Sequence, residues 1–313
     1  MARIHAYTPF GDPVRGALEE AFPEREVVCW SRPEEFVDGL AEVEHLLALN
    51  PPSGHWAEAR RLRLLHSFGA GIDHLLPLDD LPADVAVANA GGLAAGPMSE
   101  LALALAMMLQ KRVNVAASNQ RQHRWHRYTP PTVEGATLGV LGLGQIGSAL
   151  ARRAHATGMK VIGTRRSPAP VAGVEEVHPP DATAEVLARA DVAVCLLPLT
   201  RETRGLLDAA MLANLRPEAC LINLGRGGIV DERALAEMLR QGRLAGAALD
   251  VFEDEPQPPG SPLWDIPNLI MTPHVGGAYP RYLPDIARLF ADNVRRVEAG
   301  RAPLTPVDPG RGY

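Results

Sequence analysis

The chain contains the stretch Thr137-Leu-Gly-Val-Leu-Gly-Leu-Gly-Gln-Ile-Gly147, in which an apolar run leads into the spacing Gly142-x-Gly144-x-x-Gly147. The apolar run predicts a β-strand, the residues after it predict a helix ended by Gly158, and a second strand follows. Glycines in this strand–turn–helix–strand context are typical of a dinucleotide site. The first permits a tight turn, the second lets the backbone approach a pyrophosphate, and the third lets the helix pack on the strand.

Length and composition indicate an ordinary globular protein of about two domains, with 313 residues, 46% hydrophobic and 22% charged. The net charge of −6 argues against nucleic acid as the main partner, because phosphate binding requires a concentrated basic face. One basic and aromatic cluster occurs at residues 121–127. We interpret it as a loop in which Trp125 packs against the chain or joins a dimer.

No apolar run approaches the roughly 18 residues of a membrane span, and the first residues lack the apolar core of a signal peptide. The three cysteines, Cys29, Cys195 and Cys220, are far apart and lie in apolar runs, so we predict reduced core residues and no metal site. We therefore expect a cytoplasmic protein with no membrane partner.

Residues 1–97 alternate short apolar runs with stretches of helix length, which predicts a parallel sheet with helical crossovers. Ligands on such sheets gather at the carboxyl ends of the strands. One strand exit reads Ser67-Phe-Gly-Ala-Gly-Ile-Asp73. The adjacent backbone N–H groups of Gly69, Ala70 and Gly71 would suit a small carboxylate, although a plain connecting loop is the alternative.

A long helical stretch, residues 98–120 after Pro97, is the expected boundary between the domains. In the second domain, the strand that follows Gly158 ends in Gly163-Thr-Arg-Arg-Ser167. NAD-binding domains carry an Asp or Glu about 20 residues past the first glycine, which binds the ribose 2′-hydroxyl. This chain instead has Arg165, Arg166 and Ser167, which offer the guanidinium and hydroxyl donors that a 2′-phosphate requires. We predict that NADP(H) is preferred over NAD(H).

Three polar residues follow later apolar runs of strand type: Arg226 after residues 219–223, Glu255 after 247–251, and His274 after 269–271. With the run at 191–197, these strands would complete a doubly wound sheet. The three loops should therefore open on the same edge of the sheet as the cofactor.

The sequences Asn223-Leu-Gly-Arg-Gly-Gly-Ile-Val-Asp-Glu-Arg-Ala-Leu235, Leu249-Asp-Val-Phe-Glu-Asp-Glu-Pro256 and Thr272-Pro-His-Val-Gly-Gly277 resemble signatures of the D-2-hydroxyacid dehydrogenases. The resemblance extends over nearly the whole chain, and the Phe68-Gly-Ala-Gly-Ile-Asp73 segment fits the substrate loop of that family. Length, residues 261–264 and residues 307–313 are most similar to the glyoxylate/hydroxypyruvate reductase A branch.

The resemblance implies an α/β fold of two doubly wound parallel-sheet domains with a cleft between them. A flavodoxin-like substrate domain would comprise residues 1–97 and 278–313, and a Rossmann cofactor domain residues 98–277. It also implies a small 2-oxo or 2-hydroxy acid as substrate and a homodimer.

In this family an Arg, a Glu and a His carry catalysis, and they fall on Arg226, Glu255 and His274. Reduction of a 2-oxo acid adds hydride to the carbonyl carbon, and the oxygen must receive a proton. An imidazole titrates near neutral pH, so His274 is the expected proton donor. Glu255 would hold one ring nitrogen, and Arg226 offers a fork of donors to the carboxylate or carbonyl.

The expected contacts form two sets. The cofactor contacts are Gly142, Gly144, Gln145, Ile146, Gly147, Arg165, Arg166, Ser167, Leu197, Pro198, Leu224, Gly225, Arg226, Asp250, His274 and Gly276. The substrate contacts are Gly69, Ala70, Gly71, Arg226 and His274.

Two alternatives stay open. The chain could be another dehydrogenase of the family, of phosphoglycerate or D-lactate type, although the substrate loops lack the extra cations that phosphoglycerate would call for. It could also be a nucleotide-sensing protein that resembles corepressors, although all three catalytic positions are filled. A formate dehydrogenase is disfavoured because Glu, and not Gln, occupies position 255.

Overall fold

The structure is a computed structural model and describes residues 3–167 and 169–310. The chain forms two compact units, one made of the described residues up to Ala94 and from Ala278 onwards, the other of Ala95–Gly277. We expected the first boundary after residue 97. It lies after Ala94, because the helix that opens the second unit begins at Ala95.

The first unit is built on a parallel sheet. Its elements before Ala94 are β1 (Ile4–Tyr7), α1 (Asp12–Ala21), β2 (Val27–Trp30), α2 (Pro33–Gly39), β3 (His45–Ala48), β4 (Leu64–Ser67) and β5 (Ala86–Ala88). The strand order β2-β1-β3-β4-β5, with every pair parallel, is the flavodoxin-like order. Because β1, β3 and β4 are buried along their whole length, they carry apolar residues on both faces.

The second unit contains a larger parallel sheet. Its elements are α3 (Ala95–Gln110), α4 (Val113–Arg121), β6 (Thr137–Leu141), α5 (Gln145–Ala156), β7 (Lys160–Thr164), β8 (Glu176–His178), α6 (Thr183–Arg189), β9 (Val192–Cys195), α7 (Ala209–Leu212), β10 (Cys220–Asn223), α8 (Glu232–Arg240), β11 (Gly246–Leu249) and β12 (Leu269–Met271). The strand order is β12-β11-β10-β9-β6-β7-β8. The order reverses between β6 and β9, where open α/β sheets bind their ligands. The α/β fold of two parallel-sheet domains is therefore confirmed.

The chain returns to the first unit through α9 (Tyr282–Glu298), which packs against α1. Beyond this helix, Pro306 forms an antiparallel bridge with Ala88 of β5, and the N–H of Val307 donates to the carbonyl of Val87. The last strand of the first sheet is thus covered by the C-terminal segment. Residues 311–313, which contributed to the resemblance at the end of the chain, lie outside the described residues.

The long helix predicted over residues 98–120 is two helices. Arg112 has φ of 52°, a left-handed conformation that ends α3 and turns the chain into α4. Trp125, which we expected to pack or to join a dimer, does not pack within the chain, since 90% of it is exposed. The dimer stays a prediction.

The cysteines agree with the expectation for reduced residues. All three are free thiols, Cys195 and Cys220 are buried, and Cys29 is partly exposed. Burial raises the pKa of Cys195 to about 12, so this thiol is not a reactive nucleophile. In the described part of the chain, no helix is both long enough and apolar enough to cross a membrane.

Candidate active site

The glycine-rich turn between β6 and α5 has the geometry that its spacing predicts. Gly142 has φ of 102°, which side-chain-bearing residues rarely adopt. A Cβ on Gly147 would lie 2.2 Å from the carbonyl oxygen of Gly142, so this glycine lets the helix start against the strand. A Cβ on Gly144 would meet no atom within 4 Å. The turn is therefore closed on the strand side and open where a pyrophosphate would approach.

The N-terminus of α5 supports the same assignment. The N–H of Ser148 is the first in α5 to donate within the helix, to the carbonyl of Gly144. The N–H groups of residues 145–147 therefore have no acceptor inside the helix. Such groups, together with the helix dipole, attract phosphate. A dinucleotide therefore fits the residues present: Gly144, Gln145 and Ile146 would hold its pyrophosphate.

At the end of β7, Arg165 is partly exposed, and Arg166 and Ser167 are exposed. The N–H of Arg165 donates to the carbonyl of His178 at 2.8 Å, which fixes the backbone where the two arginines begin. A hydrogen bond from Thr200 holds the pKa of the Glu202 carboxyl below its usual value, and the positive charge of Arg166 contributes in the same direction. Sequence reasoning missed Glu202, because it belongs to the loop after β9 and not to the strand that carries the arginines.

His274 and Glu255 form a hydrogen-bonded pair, with Nδ1 of His274 2.7 Å from Oε2 of Glu255. Oε1 of Glu255 accepts the N–H of Phe252 at 2.9 Å, so both carboxylate oxygens are engaged. The His274 side chain remains 48% exposed, which leaves the ring accessible to a substrate. His274 also has φ of 52°, an uncommon conformation for a residue with a side chain.

Asp250 holds the turn that presents His274. This residue is 1% exposed, and its carboxylate accepts the N–H groups of Val275 and Gly276, each at 2.9 Å. It also accepts the hydroxyl of Thr272 at 2.6 Å, and its carbonyl accepts the N–H of His274 at 2.8 Å. These bonds stabilise the left-handed backbone at His274. The role we expected for Asp250, a cofactor contact, stays a prediction.

Arg226 lies in a loop that packs against the loop of Glu255. The side-chain amide of Asn223 donates to the carbonyl of Arg226 at 3.0 Å and accepts the N–H of Gly225 at 3.1 Å. A Cβ on Gly227 would lie 1.8 Å from the carbonyl oxygen of Phe252, so the two loops meet backbone to backbone. A Cβ on Gly225 would lie 2.5 Å from the carbonyl of Leu197. Asn223, which was not among the expected site residues, organises this loop.

The expected site residues of the second unit thus follow the carboxyl ends of β6, β7, β9, β10, β11 and β12, along one edge of one sheet. The remaining set, Gly69, Ala70 and Gly71, follows β4 in the first unit, where all three residues are partly exposed.

The parallel sheet, its glycine-rich turn and the His–Glu pair define a nucleotide-dependent oxidoreductase of the dehydrogenase type. Residues 103–276 match the family described as D-isomer specific 2-hydroxyacid dehydrogenase, NAD binding domain. The chain belongs to the D-isomer specific 2-hydroxyacid dehydrogenase family.

Two curated relatives align over nearly the whole chain. A glyoxylate/hydroxypyruvate reductase A from Serratia proteamaculans is 32% identical over 316 residues, which cover 98% of each protein. A D-3-phosphoglycerate dehydrogenase from Methanocaldococcus jannaschii is 30% identical, but the alignment spans 58% of that protein.

Solved structures are similar over the whole chain as well. A D-isomer specific 2-hydroxyacid dehydrogenase from Xanthobacter autotrophicus, in complex with NADPH and MES, is 37% identical with a TM-score of 0.88 and covers 100% of this chain and 99% of that one. An NADPH-dependent glyoxylate/hydroxypyruvate reductase from Sinorhizobium meliloti, in complex with NADP and sulfate, is 32% identical with a TM-score of 0.89 and covers 100% of both chains.

Proposed function

We propose that this protein reduces a small 2-oxo acid of the glyoxylate or hydroxypyruvate type to the D-2-hydroxy acid, with NADPH preferred over NADH. The observation that carries the proposal is the pair of His274 and Glu255, 2.7 Å apart, on the edge of the sheet that holds the glycine-rich turn. Full-length relatives named as glyoxylate/hydroxypyruvate reductases support the substrate class.

The proton would come from His274. Because Nδ1 faces Glu255, the other ring nitrogen, Nε2, is the one that can donate to the carbonyl oxygen of the substrate. When bound, the reduced cofactor supplies the hydride to the carbonyl carbon. Glu255 fixes the plane of the ring, and Asp250 fixes the backbone from which the ring projects. In the reverse direction His274 would accept the proton of the hydroxyl group.

Arg226 would orient the substrate. Its guanidinium is permanently charged and offers paired donors that match a carboxylate or a polarised carbonyl. The loop of Gly69, Ala70 and Gly71 would bind the carboxylate through backbone N–H groups. On this proposal, the unit with the flavodoxin-like sheet is the substrate domain, the unit of Ala95–Gly277 is the cofactor domain, and two chains form a homodimer.

The proposal is tested by following oxidation of NADPH and NADH with glyoxylate, hydroxypyruvate, 3-phosphohydroxypyruvate and pyruvate, and by determining the configuration of the products other than glycolate, which is achiral. We expect the highest kcat/KM for glyoxylate or hydroxypyruvate with NADPH, and a D product from hydroxypyruvate. A maximum with 3-phosphohydroxypyruvate would indicate a phosphoglycerate dehydrogenase, and a maximum with pyruvate a D-lactate dehydrogenase. Binding of the nucleotide without turnover of any oxo acid would favour a sensing protein.

A further inference from the structure

The backbone carbonyls of the loop after β4 are anchored one after another by groups of the first unit. Tyr282 donates its hydroxyl to the carbonyl of Phe68. The carbonyl of Gly69 accepts from the N–H of Ala90 at 3.0 Å, and Ser67 Oγ lies 2.9 Å from the Gly69 oxygen and 2.7 Å from the Gly71 oxygen. The carbonyl of Ala70 accepts from the side-chain amide of Asn89 at 2.7 Å.

This anchoring sets the direction of the N–H groups. A trans peptide is planar, and its N–H points opposite to its C=O. The anchored carbonyl of Gly69 therefore directs the N–H of Ala70 away from the anchors, and the anchored carbonyl of Ala70 does the same for the N–H of Gly71. Neither N–H has an acceptor among residues 3–167 and 169–310. Two successive unsatisfied donors in a partly exposed loop form a site for an anion.

Among the described residues, Asn89 is the one side chain that hydrogen-bonds to the Ala70–Gly71 peptide, and its own position is fixed on several sides. Its Oδ1 accepts the N–H of Gly91 at 2.9 Å, its backbone N–H donates to the carbonyl of Thr305 at 3.2 Å, and its carbonyl accepts the hydroxyl of Thr305 at 2.6 Å. A side-chain amide held at both ends loses little further entropy when it orients the loop.

We propose that Asn89 is a positioning residue for substrate binding. By holding the carbonyl of Ala70, it directs the N–H groups of the loop towards the carboxylate of the 2-oxo acid. This inference rests on the proposed function, and it adds a residue that touches neither the substrate nor the cofactor.

The test uses Asn89→Asp and Asn89→Ala in the full-length protein. The Asp variant keeps the size of the side chain and an acceptor for Gly91, but it cannot donate to Ala70. The Ala variant removes the donor without adding a charge. We expect both to raise KM for the oxo acid by about 10- to 100-fold, the range for loss of hydrogen bonds to a charged group. We expect kcat to change by less than about threefold and KM for NADPH to stay constant, since the lost interaction contributes equally to ground-state and transition-state binding.

Thr305→Val is the matched control. It removes the hydroxyl that binds the backbone of Asn89 but leaves the side-chain amide on Ala70, so it should lower stability without raising KM. Equal increases in KM for Thr305→Val and Asn89→Ala would overturn the inference, because the effect would then be general loosening. A wild-type KM in both Asn89 variants would overturn it as well.

A second measurement separates this inference from the proposed function. Calorimetric binding of oxamate, a carboxylate analogue of 2-oxo acids, to the NADPH-loaded protein requires no turnover. If the wild type reduces no oxo acid but binds oxamate, and the Asn89 variants bind it about 10-fold or more weakly, the proposed function fails and the role of Asn89 stands. Absence of oxamate binding in the wild type, or equal binding in all variants, would overturn the role of Asn89.

Discussion

Nδ1 of His274 lies 2.7 Å from Oε2 of Glu255, and the other oxygen of that carboxylate accepts the N–H of Phe252. Because the carboxylate is held at its second oxygen, it fixes the ring of His274 in one orientation. This leaves Nε2 as the nitrogen for proton transfer. The pair therefore has the arrangement of a proton donor and the group that orients it.

Replacement of His274 tests that assignment. We expect His274→Gln to lower kcat by a factor of about 100 or more, the usual contribution of a positioned acid–base group. KM for NADPH should change little, and the variant should unfold near the temperature of the wild type, since 48% of the side chain is exposed. Near-normal turnover of the Gln variant in a steady-state assay would refute the role of His274.

The contact between Gly227 and Phe252 holds the loop of Arg226 against the loop of Glu255, so a substitution that breaks it should impair both stability and activity. A methyl group at position 227 would lie 1.8 Å from the Phe252 carbonyl, so Gly227→Ala must push the loops apart. We expect a loss of about 1–3 kcal/mol in the free energy of unfolding, as for other overpacked sites. Since the loops carry two proposed catalytic groups, kcat/KM should fall at least about 10-fold.

Gly260→Ala is the control for this prediction. Gly260 also lies in a loop of the second unit, but a Cβ there would meet no atom within 4 Å. We expect wild-type stability and kcat/KM from this variant. If thermal melting and turnover show the two Ala variants to be alike, the backbone contact at Gly227 does not position the loops.

Local signals in the sequence predicted much of this site. The strand–turn–helix–strand unit predicted around Gly142, Gly144 and Gly147 is formed by β6, α5 and β7. Asp231 is a residue type that favours helix N-termini, and it caps α8, where its carboxylate accepts the N–H groups of Arg233 and Ala234. Where a structure depends on neighbours in the chain, the pattern of residues was sufficient.

Features that depend on distant contacts could not be predicted in this way. The break at Arg112 has no glycine or proline to mark it; the carbonyl of Arg112 accepts the hydroxyl of Tyr128, 16 positions away. The bond from Asn89 to Ala70 joins residues 19 positions apart, and it exists because β4 and β5 are neighbours in the sheet. The charge of Arg166 affects the Glu202 carboxyl only because β9 and β7 end on the same edge of the sheet.

Replacement of Arg166 and replacement of Glu202 should shift cofactor preference in opposite directions. We expect Arg166→Ala to lower the ratio of kcat/KM for NADPH to that for NADH by about 10-fold, through loss of a guanidinium–phosphate contact. Glu202→Gln should raise the ratio about two- to threefold, since it removes a negative charge near the site at an exposed position. The two cofactors are compared under identical conditions at saturating oxo acid.

Arg152→Ala provides the control, because Arg152 is an exposed arginine on α5 and its loss changes the net charge equally. In this variant the ratio of kcat/KM for NADPH to that for NADH should equal the wild-type ratio. A wild type that strongly prefers NADH, or an unchanged ratio in Arg166→Ala, would contradict the proposed binding of the 2′-phosphate.

Stability of the first unit should fall on mild acidification because three of its histidines are buried. Burial lowers the pKa of His5, His45 and His66 from 6.5 to about 4. Between those values the unfolded chain binds protons that the folded chain does not, so the free energy of unfolding decreases as pH falls from about 6.5 towards 4. For each histidine the loss should be roughly 2 kcal/mol between pH 7 and pH 5.

His66 offers the sharpest test, since the groups around it require the neutral ring. Its Nδ1 lies 2.8 Å from the carbonyl of Ser67, and its Nε2 accepts from the amide of Asn293, whose oxygen in turn accepts the N–H of Leu304. Urea unfolding at pH 7 and pH 5 can be followed by tryptophan fluorescence, because Trp56 is buried in this unit whereas Trp125 and Trp264 are exposed. In His66→Gln we expect the loss of stability between the two pH values to be smaller by about one third, the share of one histidine among three with similar pKa values. A pH dependence equal to that of the wild type would show that His66 takes up no proton on unfolding.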